Sequence, residues 1–238
     1  MTKNIKIALG LTYIVCLGLI LYGFFIIVDV TQLNDYKYIR DKTQFLIEIR
    51  DKNLFWFSIL FFLFSIIWIL LLGFATPIAL IAGFLFGKVY GTLISVFGFT
   101  IGCTVLYVFA NQYFRNLIME RLSKKISKFK EIFNKNEFFY FMLFRFAGGG
   151  GTPFAIQNLL PVLFNMKVKN YFFSTLIGLF PMVFILCAIG SGIETIIENN
   201  INPSLITMIQ NKEILFPILG FFVVLVFSLT LRKIYFKK

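Results

Sequence analysis

The sequence contains no histidine. That excludes a histidine-based proton relay and zinc sites built on imidazole. Charge is scarce as well: 14% of the 238 residues are charged, where a soluble domain carries about 25%. Cysteine occurs three times, at Cys16, Cys103 and Cys187, each in a separate apolar segment. An odd, dispersed set gives neither a disulfide framework nor a metal site. Acids are the rarer sign, 11 against 23 Lys and Arg. None lies inside a long apolar run; the nearest, Asp29, Asp51, Glu137 and Glu194, stand at run edges. No nucleophile–base pair is visible, so neither an enzyme nor a cofactor is expected.

What is present is hydrophobic mass. The chain is 59% apolar and 19% aromatic, with a mean hydropathy of +0.86. This composition predicts an all-α integral membrane protein. The 33 phenylalanines accompany heavy use of Ile, Lys and Asn. They read as a coding bias, not a ligand box.

The apolar segments are 7–28, 54–74, 75–87, 90–110, 138–147, 153–166, 171–191 and 214–231. Segment 7–28 follows Lys3 and Lys6 and has no A-x-A site after it, so an uncleaved anchor helix is expected. A span needs about 20 residues, so 75–87, 138–147 and 153–166 are too short to cross. Short apolar pieces beside a Gly/Pro break are candidates for re-entrant hairpins, tolerated at membrane depth when buried in protein or lining a wet cavity. Between the segments lie amphipathic connections. In 115–137, Ile118, Leu122, Ile126, Phe129 and Phe133 share one helical face and lysines surround the other. That is either an interfacial helix resting on anionic lipid headgroups or a solvated loop helix. Pro203 interrupts any helix across 193–212. The expected layout is an anchor and connection over 1–53, a core over 54–190, and an amphipathic segment with a C-terminal span over 191–238.

The core contains a repeat. TPIALIAGFLFGKVYGTLISVFG (76–98) and TPFAIQNLLPVLFNMKVKNYFFSTLIG (152–178) both begin Thr-Pro-x-Ala. Each continues as an apolar half-helix, a turn bearing lysine, and a full span. A proline-broken short helix in each half points to a transporter-type site at the repeat interface. The charge distribution agrees with an inverted repeat of re-entrant helical hairpin plus transmembrane helix. One side then holds Lys3, Lys6, the basic residues of 115–137, Lys167, Lys169 and the C-terminal cluster. The other holds Lys37, Arg40, Lys42, Arg50, Lys52, Lys88 and Lys212, offset by more acids than bases. The positive-inside rule places both termini and 115–137 in the cytoplasm, in a cell (inner) membrane.

The residues around each break resemble the paired signatures of the DedA superfamily, also called SNARE-associated or VTT-domain proteins. Pro77-x5-Gly83-x2-Phe86-Gly87-x3-Gly91 is similar to the first signature. Arg145, Pro153-Phe154, Asn158 and Gly178-x2-Pro181 are similar to the second. Asn158 after Pro-Phe is similar to the SNARE-associated Golgi-protein branch. The resemblance covers about residues 54–190. It implies two opposed hairpins meeting at the membrane centre, and movement of phospholipids or of a polyprenyl phosphate such as undecaprenyl phosphate. Gly148 stands where the family carries a proline. Some members couple to protons through membrane acids; the apolar segments here contain none.

Arg145 is the one charge within the core apolar segments. Its insertion costs roughly 2.5–3.5 kcal/mol or more when unpaired. It meets freed backbone carbonyls, or a ligand phosphate gripped by two hydrogen bonds, or it snorkels toward the polar end at Glu137. Gly148, Gly149, Gly150 and Gly151 permit a turn at depth and leave amides free. Thr152 is placed to cap a half-helix that starts at Pro153, and Thr76-Pro77 repeats the arrangement; two such N-termini favour an anion. Gln157 and Asn158 either bind a headgroup or bond to the other hairpin. Gly83, Gly87 and Gly91, and Gly98 with Gly102, are spaced for close helix packing. The leading expectation is a lipid scramblase or flippase. A carrier of a small anion and a membrane scaffold acting through 115–137 are the alternatives. No nucleic-acid partner is expected, and self-association into a homo-oligomer is compatible with the pattern.

Overall fold

The structure, a computed structural model, describes residues 36–71, 73–122, 136–198 and 212–236, with the isolated positions Thr12, Val15, Gly18, Tyr22 and Phe133. The expected anchor at 7–28 and the break at Pro203 therefore fall largely or wholly outside the described residues. Every regular element among the described residues is helical. The chain forms two compact units, Met1–Phe57 and Ser58–Lys238. In the first, α1 (Tyr36–Lys52) is amphipathic and leaves Phe45, Leu46 and Ile49 exposed. It ends where the Asn53 amide bonds to the Arg50 carbonyl.

The second unit begins within α2 (Leu54–Leu70) and continues with α3 (Ala75–Phe86), α4 (Lys88–Tyr113) and α5 (Arg115–Leu122). After Phe133 come α6 (Glu137–Phe146), a 3-10 turn at Gly148–Gly151, α7 (Phe154–Leu159), a second 3-10 turn at Leu160–Phe164, α8 (Val168–Glu198) and α9 (Lys212–Phe236). These bounds follow the apolar segments closely. Two described helices are long and apolar enough to cross a membrane, Lys88–Tyr113 and Val168–Thr195; α3 and Phe154–Phe164 are short apolar helices.

The long helices are apolar outside, and their largely apolar interior includes small hydroxyl residues. Buried positions of α2, α4 and α8 include Ser58, Ser65, Thr92, Ser95, Thr100, Ser174 and Thr175. The exposed stripes are apolar: Val89, Leu93 and Phe97 on α4, and Phe173, Ile177, Phe180 and Phe184 on α8. Helical spacing puts each set on one face. Such a surface suits lipid, and some of the buried hydroxyls bond locally: Ser65 donates to the Phe62 carbonyl at 2.7 Å and Ser174 to the Tyr171 carbonyl at 3.1 Å.

The two long apolar helices, α4 and α8, run antiparallel. Tyr107 of α4 stacks on Tyr171 of α8 with ring centroids 4.5 Å apart, while Cys187 further along α8 lies against Thr92 and Ser95. Glycines set the remaining contacts. Gly98 and Gly102 of α4 abut Ser65 and Ile69 of α2 in the same sequence order, so α2 runs parallel to α4. Gly83 of α3 presses on the Cys187 backbone, and Gly190 of α8 on the Leu80 backbone. Gly87, with φ +75°, turns the chain from α3 into α4. A side chain there would be strained.

In the later half, Glu137 at the start of α6 accepts from Asn170 Nδ2 at 2.6 Å and from the Lys167 amide at 3.1 Å. Eight residues on, Arg145 lies against Gly178. Thus α6 runs parallel to α8 from the same level. The chain descends through α6 and returns through α7 and the second turn before α8 begins. Each short helix packs on the other half's span: α3 on α8, and α7 with its following turn on α4.

Candidate functional site

Arg145 is the last-turn cation of α6 and is 1% exposed. It stands level with Gly178, ten residues into α8, or about 15 Å along a helix. The guanidinium itself lies back toward the start of α6, against the Phe141 ring and the Tyr171 hydroxyl, and is enclosed by protein. Gly178 makes its position available: a Cβ there would lie 2.6 Å from the Arg145 Cβ and 2.9 Å from the Met142 carbonyl oxygen.

Neutral groups surround the guanidinium. Nη2 donates to Asn158 Oδ1 and, at 3.1 Å, to the Tyr171 hydroxyl. Nη1 reaches Gln157 Oε1 at 3.5 Å, a marginal contact. The rings of Phe141 and Phe154 lie 5.0 and 5.3 Å from the charge centre, within cation–π range. Among the described residues, no carboxylate lies within ion-pairing distance of Arg145. Two donors in the cluster have no oxygen or nitrogen partner among the described residues: Arg145 Nε, and Asn158 Nδ2, which meets only the Cys103 thiol. A buried donor without an acceptor costs about 1–3 kcal/mol, more when charged.

The loop below is built from its glycines. Gly148, Gly149 and Gly151 have φ of +63°, +71° and +83°, a region costly to other residues. The loop aims the Gly148 and Thr152 carbonyls at Gln157, whose Nε2 donates to them at 3.2 and 2.8 Å. Gln157 is thereby tied to its own loop and turns its carbonyl toward Arg145. Gly149 is packed directly on that amide.

The expected caps differ. The Thr152 hydroxyl turns back and donates to the Gly149 carbonyl at 2.7 Å. Pro153 sits in the cap position without a side-chain cap, its carbonyl accepting from the Gln157 amide at 3.1 Å. The extended backbone of Pro153, with ψ 142°, delays the helix to Phe154. In the first copy the helix starts earlier, at Ala75, because the extended residue is Phe74. Its carbonyl is held by Trp68 Nε1 at 2.9 Å. Thr76 and Pro77 therefore lie within the first turn of α3. All side-chain hydrogen bonds of Arg145 among the described residues go to α7 and α8; none reaches Thr76 or Pro77.

Sequence reasoning missed Tyr171 and Cys103. Tyr171 sits between Tyr107 and Phe141, and the Tyr107 hydroxyl donates to the Met166 carbonyl at 2.6 Å. Cys103 lies against Arg145, Asn158 and Tyr171. No local signal marked either residue; only the antiparallel pairing of α4 and α8 brings them in. Phe133, expected on a lipid-facing stripe, is instead buried against Phe164 and Phe141, with centroids 4.3 and 6.2 Å away. The stretch 123–132 of that stripe lies outside the described residues.

Helices long and apolar enough to cross a membrane, an apolar exterior and, among the described residues, a single buried charge at Arg145 define a helical membrane protein. Residues 74–192 match the VTT domain. The chain belongs to the VTT-domain family, the DedA superfamily. No solved structure matches it.

Proposed function

We propose that this protein moves phosphate-bearing lipids, phospholipids or polyprenyl phosphates, between the leaflets of a cell membrane. The family is one of membrane proteins linked to lipid transport. The observation that carries the reading is Arg145: a buried cation with no carboxylate beside it among the described residues, whose Nε has no oxygen or nitrogen partner there and whose neighbour, the Asn158 amide, meets only the Cys103 thiol. A phosphate supplies two or more acceptor oxygens and a balancing charge, and a guanidinium edge grips it with paired bonds. The weak Gln157 contact is the one a phosphate displaces most cheaply.

In this reading α2–α3 and α6–α7 are opposed re-entrant hairpins of an inverted repeat, and both termini are cytoplasmic. The parallel course of each first arm with its following span, and the antiparallel spans, support it. A headgroup passes where the hairpins meet, and anionic lipids gather at the basic stretch 115–137. No covalent step is involved.

Purified protein in liposomes carrying a fluorescent phospholipid tests this. Wild type is expected to expose the inner-leaflet probe, and Arg145→Gln to slow exposure about tenfold or more, the worth of a lost charged hydrogen bond. The closed surroundings of Arg145 favour one second reading, a carrier of a small anion in a sealed cavity. If the lipid probe stays put while an Arg145-dependent anion flux appears, the carrier replaces the lipid transporter.

A further inference from the structure

The crossing that holds Arg145 occurs twice in the fold. A Cβ at Gly178 of α8 would meet the Arg145 Cβ at 2.6 Å and the Met142 carbonyl oxygen at 2.9 Å. A Cβ at Gly102 of α4 would meet the Ile69 Cβ at 2.9 Å and the Ile66 carbonyl oxygen at 3.0 Å. Each time, a residue and the carbonyl three positions before it face one glycine of the following long helix. Arg145 and Ile69 each stand eight residues before the proline of a Thr-Pro pair, Pro153 and Pro77. Ile69 is therefore the counterpart of Arg145, and both are buried.

The two copies differ in chemistry. Six residues after the two threonines stand Asn158 and Ala82, so the first copy has apolar side chains for both the cation and its acceptor. Each copy also receives a cysteine from the other half's long helix. Cys103 of α4 lies against Arg145, Asn158 and Tyr171. Cys187 of α8 lies against Thr92 and Ser95, and its thiol donates to the Ala79 carbonyl at 3.2 Å. A phosphate is held by N–H donors and a balancing charge; the Arg145 copy offers both and the Ile69 copy neither.

Side chains lean toward the start of their helix. Since α6 runs with α8, α2 with α4, and α4 against α8, Arg145 and Ile69 lean toward opposite ends of the α4–α8 pair. The guanidinium bonds to the Tyr171 hydroxyl, and Tyr171 is the fourth residue of α8, about 4.5 Å along the axis from its start. At that end α4 finishes and α5 begins, and Arg115, Lys167 and Lys169 are exposed. Cations there raise the local concentration of phosphate groups.

We infer that the Arg145 site is one-sided: it takes a phosphate group from the membrane face where α6 and α8 begin, and Ile69 leaves the opposite face without a matching site. That the phosphate is a lipid headgroup rests on the function proposed above; the side rests on the two crossings.

Thiol labelling reads the side. Sulfonatoethyl methanethiosulfonate, a membrane-impermeant anion, is applied to intact cells and to inverted membrane vesicles, and each cysteine of the full-length protein is followed by peptide mass spectrometry. Cys103 should react about tenfold faster from the face that labels Glu120→Cys, because α5 lies at that end. Arg145→Gln should slow this reaction about tenfold. In the unsubstituted protein, dihexanoyl phosphatidate should protect Cys103 and not Cys187. Inorganic phosphate protecting equally well would support the side and assign the group to a free anion. Equal labelling of Cys103 from both faces, faster labelling from the far face, no labelling from either, or equal protection of Cys187 would each overturn the inference. The transport reading fails separately. If Arg145→Gln leaves lipid exposure in liposomes unchanged while Cys103 labelling stays one-sided, transport alone falls. If exposure depends on Arg145 while labelling is equal from both faces, the one-sidedness alone falls.

Discussion

Alanine substitutions along the glycine contacts give a graded test of the packing. On intrinsic propensity, Gly→Ala inside a helix gains about 1 kcal/mol. At Gly220 of α9 the new Cβ meets nothing within 4 Å, so the full gain should appear. At Gly102 of α4 it would lie 2.9 Å from the Ile69 Cβ and 3.0 Å from the Ile66 carbonyl oxygen. Carbon contacts settle near 3.5 Å, so α2 must retreat by about 0.6 Å. That offsets the gain and leaves Gly102→Ala about 0–1 kcal/mol less stable than wild type. At Gly83 of α3 the Cβ falls on the Cys187 backbone carbonyl. Backbone meets backbone and no rotamer relieves it, so overpacking of about 1–3 kcal/mol or more is expected. Gly190→Ala meets the Leu80 carbonyl from the other helix. One separation of α3 from α8 accommodates both, so the Gly83→Ala/Gly190→Ala pair should cost less than the sum. Thermal unfolding in detergent reads the series; for a chain of this size about 1 kcal/mol moves the midpoint by roughly 2–4 °C. The expected order is Gly220→Ala above wild type, Gly102→Ala slightly below, Gly83→Ala and Gly190→Ala lowest. A Gly83→Ala protein as stable as Gly220→Ala would refute the close crossing of α3 and α8.

Two further outcomes are expected. Asn158→Leu leaves the buried Arg145 without its shortest acceptor and should destabilise by about 2–3 kcal/mol, while Tyr171→Phe keeps its ring stacks, loses one bond and should cost about 1–1.5 kcal/mol; equal midpoints for the two in the same unfolding assay would contradict the arrangement. With Cys103 and Cys187 buried and Cys16 replaced by serine, a cysteine introduced at the exposed Glu120 (Glu120→Cys) should resist a membrane-impermeant maleimide applied to intact cells, and rapid labelling would invert the proposed orientation.

Much of the fold was legible because lipid imposes length and polarity on a chain. The apolar runs 75–87, 90–110 and 138–147 correspond to α3, α4 and α6 within a few residues. Of the GxxxG glycines, Gly83, Gly91 and Gly102 meet the backbone of another helix and Gly98 meets the Ser65 side chain, whereas a Cβ at Gly87 would meet nothing within 4 Å and that residue serves the turn instead. Arg145 and Asn158 stood out as polar groups in apolar runs. Tyr171 did not: a tyrosine near a helix start is ordinary, and its role depends on α6 running parallel to α8. The Thr-Pro pairs misled because identical dipeptides took different positions. Phe74 and Pro153 supply the extended residue at different offsets from Thr-Pro, and pattern matching does not register that offset.

The bare face of Gly178 sets how near α6 can come to α8. A Cβ there would meet the Arg145 Cβ and the Met142 carbonyl oxygen, atoms that any side chain at 145 would leave in place. Glycine at 178 is therefore demanded by the approach of the two backbones and not by the guanidinium. A relative with a methyl group at 178 should hold its α6 further out, and so carry position 145 away from Asn158 and Tyr171.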